Sequence, residues 1–477
     1  MTRPWTLILP TGLMDRLHDH LFPGDGDEHG AVLAAGVAET ASGVRLLARQ
    51  LFPAVDGVDY IPGQRGYRML TGEFVRDCVL ECAEDNLAYL AVHCHGGSDR
   101  VGFSSTDLAS HERGYPALLD ILDGRPAGAL VFARNAVAGD IWLPDRSRVE
   151  LASARVAGRP IRTLHPEPQP PPDVDLAYDR QARIFGDRGQ ALLAAQKVGV
   201  IGAGGAGSLL VEYLARLGVG KLVVIDPERI ELTNLPRVVG SSRWDAHAWL
   251  TRTGRPSLIR QLGQRHATHK VRIAQRLARR ARPETAVEPI VGNVADQSVA
   301  ARLLDCDYLF LAADSMQARL VFNSIVHQYL IPGVQVGAKV QVDKATGEIV
   351  DVFSVCRPVT PDLGCLWCNE LINPVKLAEE AESDEVRRGQ LYVEEATIAA
   401  PSVITLNAVA ASRAVDDYLF SVTGLLEKNA NTWVRFLPRA GDVEFIDPRS
   451  DPECSECSTT RASRLARGDA ARLPTRR

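Results

Sequence analysis

Short apolar runs separated by polar turns fill the first third of the chain. Thr6–Leu9, Ala31–Ala35, Val44–Ala48, Leu87–Val92 and Gly128–Phe132 have the length and residue types of strands. Thr71–Asp85 alternates apolar and polar positions with a helical period. His165–Asp173 then carries five prolines, which cannot form a helix or a central strand. It predicts a stiff, extended linker over 161–175, after a first domain at 1–160. Beyond it, Lys197–Ile201 predicts a strand, Ser208–Leu217 a helix and Lys221–Ile225 a second strand. Such a βαβ unit implies a right-handed crossover and a parallel sheet. Leu309–Ala313 is a further apolar strand, ending at Asp314. This second domain runs from 176 to 458. Residues 459–477 are rich in Arg and Ala with few large apolar groups, and predict a disordered basic tail.

The pattern makes this an α/β chain, and 477 residues are too many for one core. A hydrophobic content of 45% and a charged content of 24% are ordinary for a soluble globular protein. A formal net charge of -5 gives no general attraction to nucleic acid or anionic lipid. No apolar run reaches the roughly 20 residues of a spanning helix, and the N-terminus lacks the apolar core of a secretion signal. The expectation is a cytoplasmic protein with neither nucleic-acid nor membrane partners. In a reducing compartment its nine cysteines point to metal before disulfide.

The first concentration of chemistry is His93-Cys94-His95, followed by Ser104-x-x-Asp107. On a strand, alternation puts His93 and His95 on one face, where two imidazoles can share a metal. Asp107 can add an oxygen ligand. Three protein ligands leave a fourth tetrahedral position for water, the mark of a catalytic zinc. A carboxylate must then manage the proton, and Glu28, ahead of the Ala31–Ala35 strand, is the candidate, with Glu39 as the alternative. Ser104 can donate to an oxyanion. These residues resemble the JAMM (JAB/MPN) zinc isopeptidases, whose order is Glu, His-x-His, Ser-x-x-Asp. The eight residues between His95 and Ser104 are one more than that pattern has, and Gly96 stands where the family usually has proline. The resemblance implies an α+β domain with a catalytic zinc on His93, His95 and Asp107, with Glu28 and Ser104 catalytic.

The second concentration is Gly202-Ala203-Gly204-Gly205-Ala206-Gly207, between a strand and a helix. Glycines there permit a tight turn and let phosphate approach the backbone at a helix N-terminus. Asp226, closing the next strand, is placed to accept from ribose hydroxyls. These features alone describe an NAD enzyme equally well. Arg180, Asn234, Arg237 and Lys270 add polar and cationic groups suited to a triphosphate, and Asp314 suits magnesium. Together they resemble the ThiF-like adenylyltransferases, the superfamily of the ubiquitin-activating enzymes. The resemblance implies a Rossmann-like domain with a mostly parallel sheet. Gly202, Gly204, Gly205 and Gly207 would shape the nucleotide loop and Asp226 would hold the ribose. Asn234, Arg237 and Lys270 would contact phosphates, and Asp314 would position magnesium. Arg180 would reach into the partner site of a homodimer.

Cys365-x-x-Cys368 and Cys454-x-x-Cys457 form two hooks whose 85-residue separation is far longer than a zinc ribbon's, and it is the resemblance to the ThiF-like enzymes that implies a closed structural zinc on the four thiolates. No cysteine falls in 369–399, where a thioester-forming residue would be sought. The joint expectation is a prokaryotic bifunctional enzyme. Its zinc isopeptidase half would mature or release a ubiquitin-like protein with a Gly-Gly-type tail. Its other half would adenylate that tail with ATP and Mg²⁺, a conjugating enzyme being a candidate later partner. The alternatives are activation of a sulfur-carrier protein for cofactor biosynthesis, or an adenylyltransferase whose N-terminal domain only docks partners.

Overall fold

A computed structural model describes residues 3–62, 68–170, 172–173, 175–343, 346–381, 401–427 and 432–476. The chain divides into two compact units. One comprises Met1–Pro171 with His327–Leu330 and Asp451–Arg472, and the other comprises the remainder.

The first unit contains β1 (Trp5–Leu9), α1 (Thr11–Leu21), β2 (Gly30–Glu39), β3 (Val44–Pro53), α2 (Gly72–Glu84), β4 (Ala88–Cys94), α3 (Ser105–Ile121), β5 (Ala127–Phe132), β6 (Val137–Trp142), β7 (Arg148–Val156) and β8 (Arg162–Leu164). The strands form one eight-stranded sheet in the order β1-β3-β2-β4-β5-β6-β7-β8. A further β1–β7 pairing closes it on itself. Alternation along each strand produces two cores. Leu33, Leu46, Leu90 and Leu130 pack with Leu13, Met14, Leu17 and Leu21 of α1. Val32, Ala34, Tyr89 and Ala129 pack with Cys78, Val79 and Cys82 of α2 and with Tyr115 and Leu119 of α3. The expected strands are therefore present, each longer than its apolar run.

Two boundaries differ from the sequence reading. β8 lies inside the expected linker and pairs with β7, Ala154 opposite Leu164, so the first unit extends through the start of the proline run. Residues 459–472 are not a frayed tail. The guanidinium of Arg49, itself buried on β3, donates to the carbonyls of Thr460 and Leu465. Leu465 and Ala466 are buried, and Arg461 pairs with Asp85. The composition hid this because the segment is held by backbone carbonyls and ion pairs, with few large apolar residues.

The second unit contains α4 (Asp179–Ala195), β9 (Lys197–Ile201), α5 (Gly205–Arg216), β10 (Lys221–Ile225), α6 (Ala248–Thr251), α7 (Ser257–His266), α8 (Lys270–Ala281), β11 (Ala286–Ile290), α9 (Gln297–Ala300), β12 (Tyr308–Leu311), α10 (Met316–Gln328), β13 (Gly333–Val342), β14 (Ile349–Val359), α11 (Pro374–Ala381), α12 (Ile404–Thr423), β15 (Trp433–Leu437) and β16 (Asp442–Ile446). Its sheet runs β11-β10-β9-β12-β13-β14-β15-β16. The first five strands are parallel, and β14 to β16 are antiparallel additions, which makes the sheet mixed rather than mostly parallel. The short connection from β13 to β14 leaves no room for the crossover that a parallel pair requires. From β9 the chain moves to β10 on one side, and it later returns to β12 on the other. The crevice at the carboxyl end of β9 is thus a topological switch point, where open α/β sheets bind ligands. Among the described residues, no helix is long and apolar enough to cross a membrane.

Replacing Arg49 with Ala removes the donor from two carbonyls, at about 1–3 kcal/mol for each left unpaired. The expected outcome is faster backbone hydrogen exchange across 459–472, with the exchange of β9 and β12 unaltered.

Candidate functional site

Each unit carries its own cluster of chemistry. In the first, His93 lies on β4 opposite Gly30 of β2, and His95 follows with its N–H bonded to the Phe132 carbonyl. Period two places Cys94 on the other side. There its thiol donates to the Leu21 carbonyl and its sulfur accepts from His29 N–H. The two imidazole Nε2 atoms are 3.2 Å apart. Asp107, in the first turn of α3, brings Oδ2 to 3.7 Å from His93 Nε2 and 3.5 Å from His95 Nε2. All three ligand atoms lie within 4.8 Å of one another.

Neighbouring groups orient this set. His95 Nδ1 is 3.1 Å from the Gly102 carbonyl, which can only accept, so the proton sits on Nδ1 and Nε2 is left as a lone-pair donor. Asp107 is buried, which opposes ionisation, but hydrogen bonds from His93 and Ser104 outweigh that cost and hold its carboxyl well below the usual range. Ser104 forms a capping box with Asp107. Its N–H and hydroxyl both donate to Asp107 Oδ2, at 2.7 and 2.8 Å. The Ser104 hydroxyl proton is thus engaged in orienting Asp107. Glu28 lies 3.9 Å from His95 Nε2. Burial pushes its carboxyl up, against the pull of His95 and His93. Glu39, the alternative, lies at the far end of β2 and pairs with Arg3.

Local sequence did not disclose a brace behind the site. His111, one turn beyond Asp107 on α3, bonds Asp140 at 2.9 Å and stacks on Tyr115. Arg148 closes the same carboxylate. Phe103 lies between His93 and His111, edge-on to the latter.

In the second unit, Gly202 ends β9 with φ +95° and leads into the Gly204 N-cap of α5. A Cβ on Gly207 would stand 1.8 Å from the Gly202 carbonyl oxygen, and one on Gly205 would stand 2.4 Å from Asn407 Nδ2. At Gly204 a Cβ would meet nothing within 4 Å. Gly207 is thus required by packing against backbone, Gly205 is crowded only by the end of the Asn407 side chain, and Gly204 faces open space. Asp226 lies beneath this turn, with Oδ2 accepting from Ala203 N–H at 2.8 Å and Oδ1 from Glu228 N–H at 2.8 Å. Burial raises its carboxyl, against the pull of Lys270 and of those two N–H groups.

The remaining expected residues fall into two sets. Arg237 is brought to the turn, with its side-chain stem over Gly205 and its guanidinium on the Thr233 carbonyl. Asn234, buried, closes a small turn with Glu231. Lys270, at the start of α8, is buried and paired with Glu228. Asp314 is exposed just past the carboxyl end of β12. Arg180, by contrast, is exposed on α4, and its side chain makes no hydrogen bond or ion pair among the described residues. The structure therefore does not place Arg180 at the turn of its own chain. Asn407, which packs on Gly205 from α12, carries no signal in its neighbourhood of sequence that could have found it. Cys365 and Cys368 belong to the second unit and Cys454 and Cys457 to the first, with Cys365 and Cys454 buried. The cysteine-free stretch of 369–399 lies outside the described residues from 382 onward.

Comparison with known proteins bears on the second unit. The ThiF family profile matches residues 178–456, more than half of the chain. The chain belongs to the ThiF family. Among its relatives, the SAMP-activating enzyme E1 of Haloferax volcanii is 30% identical over 183 residues, 38% of this chain and 56% of that protein. The molybdopterin-synthase adenylyltransferase of Escherichia coli is 28% identical over 170 residues, 35% of this chain and 60% of that protein. The adenylyltransferase and sulfurtransferase MOCS3 of Mus musculus is 40% identical over 111 residues, 20% of this chain and 24% of that protein. In each case less than two thirds of the relative is spanned.

Gly207→Ala must displace the Gly202 carbonyl, whereas Gly204→Ala meets no atom. Thermal unfolding of the full chain is expected to show Gly207→Ala destabilised by about 1–3 kcal/mol, as overpacking costs. Gly204→Ala is expected to unfold close to wild type while binding nucleotide more weakly.

Proposed function

We propose that the second unit adenylates the C-terminal carboxylate of a small carrier protein ending in a Gly-Gly-type tail, and that the carrier is a sulfur carrier. One observation carries the adenylation: the Gly202–Gly207 turn stands at the switch point of the sheet, with Asp226 fixed beneath it and Arg237 packed across it. The open face at Gly204 and the α5 N-terminus receive phosphate oxygens. The Asp226 oxygens have lone pairs beyond those on Ala203 and Glu228, and these accept the ribose hydroxyls. Lys270 exchanges part of its pairing with Glu228 for a phosphate. Asn234 adds a polar contact, and Asp314 holds the magnesium that ATP brings. A carboxylate oxygen of the tail attacks the α-phosphorus, the α–β bridging bond breaks, and pyrophosphate leaves as the acyl-adenylate forms. Positioning and charge neutralisation lower the barrier. In a homodimer, the exposed Arg180 is the group that one copy extends toward the other's turn.

The choice of a sulfur carrier over a conjugated ubiquitin-like protein is supported by the relatives. One is named an adenylyltransferase and sulfurtransferase, and another acts on molybdopterin synthase. The absence of cysteine from 369–399 agrees with an adenylate passed on without a thioester in that stretch.

A second reading concerns the first unit and rests on the His93, His95 and Asp107 cluster with Glu28 beside it. The donor set fits zinc: the Nε2 lone pair of His95, a second imidazole nitrogen from His93 and a carboxylate oxygen from Asp107. Zinc bound there supplies Lewis acidity and a water made acidic near neutral pH. Glu28 takes and returns the proton, Ser104 fixes Asp107, and the unit hydrolyses the bond after the carrier's tail, exposing the carboxylate that the second unit activates. A docking role for the first unit would not require this ligand set.

Pyrophosphate exchange tests the first reading. With ATP, magnesium and a Gly-Gly-tailed carrier encoded beside this gene, label is expected to enter ATP. Asp314→Ala is expected to lower that rate by more than tenfold, whereas exchange that is independent of any carrier would refute the assignment. Metal analysis tests the second reading. His93→Ala is expected to lose one zinc per chain relative to wild type, and equal zinc in both proteins would refute it.

A further inference from the structure

Beside the ligand cluster of the first unit lies a cavity of about 340 Å³, lined by His95, Gly96, Arg100, Val101, Gly102, Pro166 and Glu167. Arg100 is the only cation in this lining, and its side chain makes no ion pair or hydrogen bond among the described residues. The loop carrying it is nevertheless fixed on both sides. Before it, Asn135 N–H bonds the Ser98 carbonyl at 2.8 Å, and Asn135 Nδ2 bonds Asp99 Oδ1 at 3.1 Å. After it, Val101 N–H bonds the Pro166 carbonyl at 3.1 Å, and Gly102 accepts from His95. Gly97, at φ +124°, begins the turn that presents Arg100. A guanidinium on an anchored loop, in the cavity that a metal-binding histidine also lines, is suited to a carboxylate.

We infer that Arg100 is a specificity-determining residue that binds the free C-terminal carboxylate of the leaving group, so that the first unit removes a terminal residue or a very short peptide from a carrier precursor. This deepens the hydrolytic reading above and rests on it. A carrier joined to a lysine side chain inside a folded protein offers no free carboxylate at this distance from the cleaved bond. A precursor extended by one residue does. Glu167 lines the same cavity, and one cation with one anion matches the two ends of a released amino acid. In the hydrolysis, the oxygen of water joins the tail carbonyl carbon and the C–N bond breaks. The proton held by Glu28 passes to the departing nitrogen, and the proton of the newly formed carboxylic acid completes its ammonium form, which Glu167 then faces while Arg100 keeps the carboxylate.

The test uses the full chain loaded with zinc and three labelled peptides. One ends in Gly-Gly-Ala with a free acid, one is its C-terminal amide, and one has Gly-Gly joined to the side-chain nitrogen of an internal lysine. Binding is measured by fluorescence anisotropy on Glu28→Gln protein, and cleavage is measured on protein with Glu28 intact. The acid is expected to bind on the order of tenfold tighter than the amide, as one charge-assisted bidentate pair provides. It is also expected to be cleaved fastest, and Arg100→Ala is expected to bring both ratios close to one. Equal binding of acid and amide, a preference that survives Arg100→Ala, or faster cleavage of the lysine-linked peptide would overturn the assignment. If the acid binds through Arg100 but no peptide is cleaved, Arg100 stands as a carboxylate site and the hydrolytic reading fails by itself.

Discussion

The contact between Gly207 and the Gly202 carbonyl governs the second unit. No side chain fits between them, so the first turn of α5 closes directly onto the end of β9. That closure aims the helix N-terminus at the switch point and lets Ala203 N–H reach Asp226. Asp226 is costly to bury, and it is retained because two backbone N–H groups meet it and Lys270 lies near. The strands, the turn and the carboxylate therefore form one preorganised surface. Its remaining open positions, at Gly204 and Asp314, are where a nucleotide and its metal would add contacts.

The first unit holds its own cluster by similar means. Its sheet closes on itself through β1 and β7, and β4 carries His93 near its end with His95 just beyond it. Two members of the cluster are oriented by neighbours: Gly102 behind His95, and Ser104 beside Asp107. Behind them, the buried His111 and Asp140 join the exposed Arg148 in a network that links α3 to β6 and β7. An isolated His-x-His would not justify a metal. The support comes from a capping box that keeps a buried aspartate ionised, with three donor atoms converging on one point.

Much of this was legible in the sequence because it is local. The strand ahead of Gly202, the alternation that pairs His93 with His95, and the Ser-x-x-Asp cap all act within a few residues of themselves. Glu28 was reachable only through a resemblance, because its proximity to His95 depends on β2 pairing with β4. Asn407 and Arg100 had no local pattern, since each owes its position to segments distant in sequence. The expectation for 459–477 failed for a related reason: the segment contains few apolar residues of its own and is ordered by donors such as Arg49 on β3. The engagement of the Ser104 hydroxyl in the helix cap is a tie that the linear motif builds but does not display.

The proposal that this glycine turn binds ATP, and not a dinucleotide, is tested most directly by calorimetric titration of the full chain with ATP and magnesium and, separately, with NAD. The account predicts saturable ATP binding with one site per chain, weakened by at least about tenfold in Asp226→Ala, as loss of a charged hydrogen-bond partner implies, and no heat with NAD. Saturable binding of NAD, with ATP binding absent or indifferent to Asp226, would contradict it.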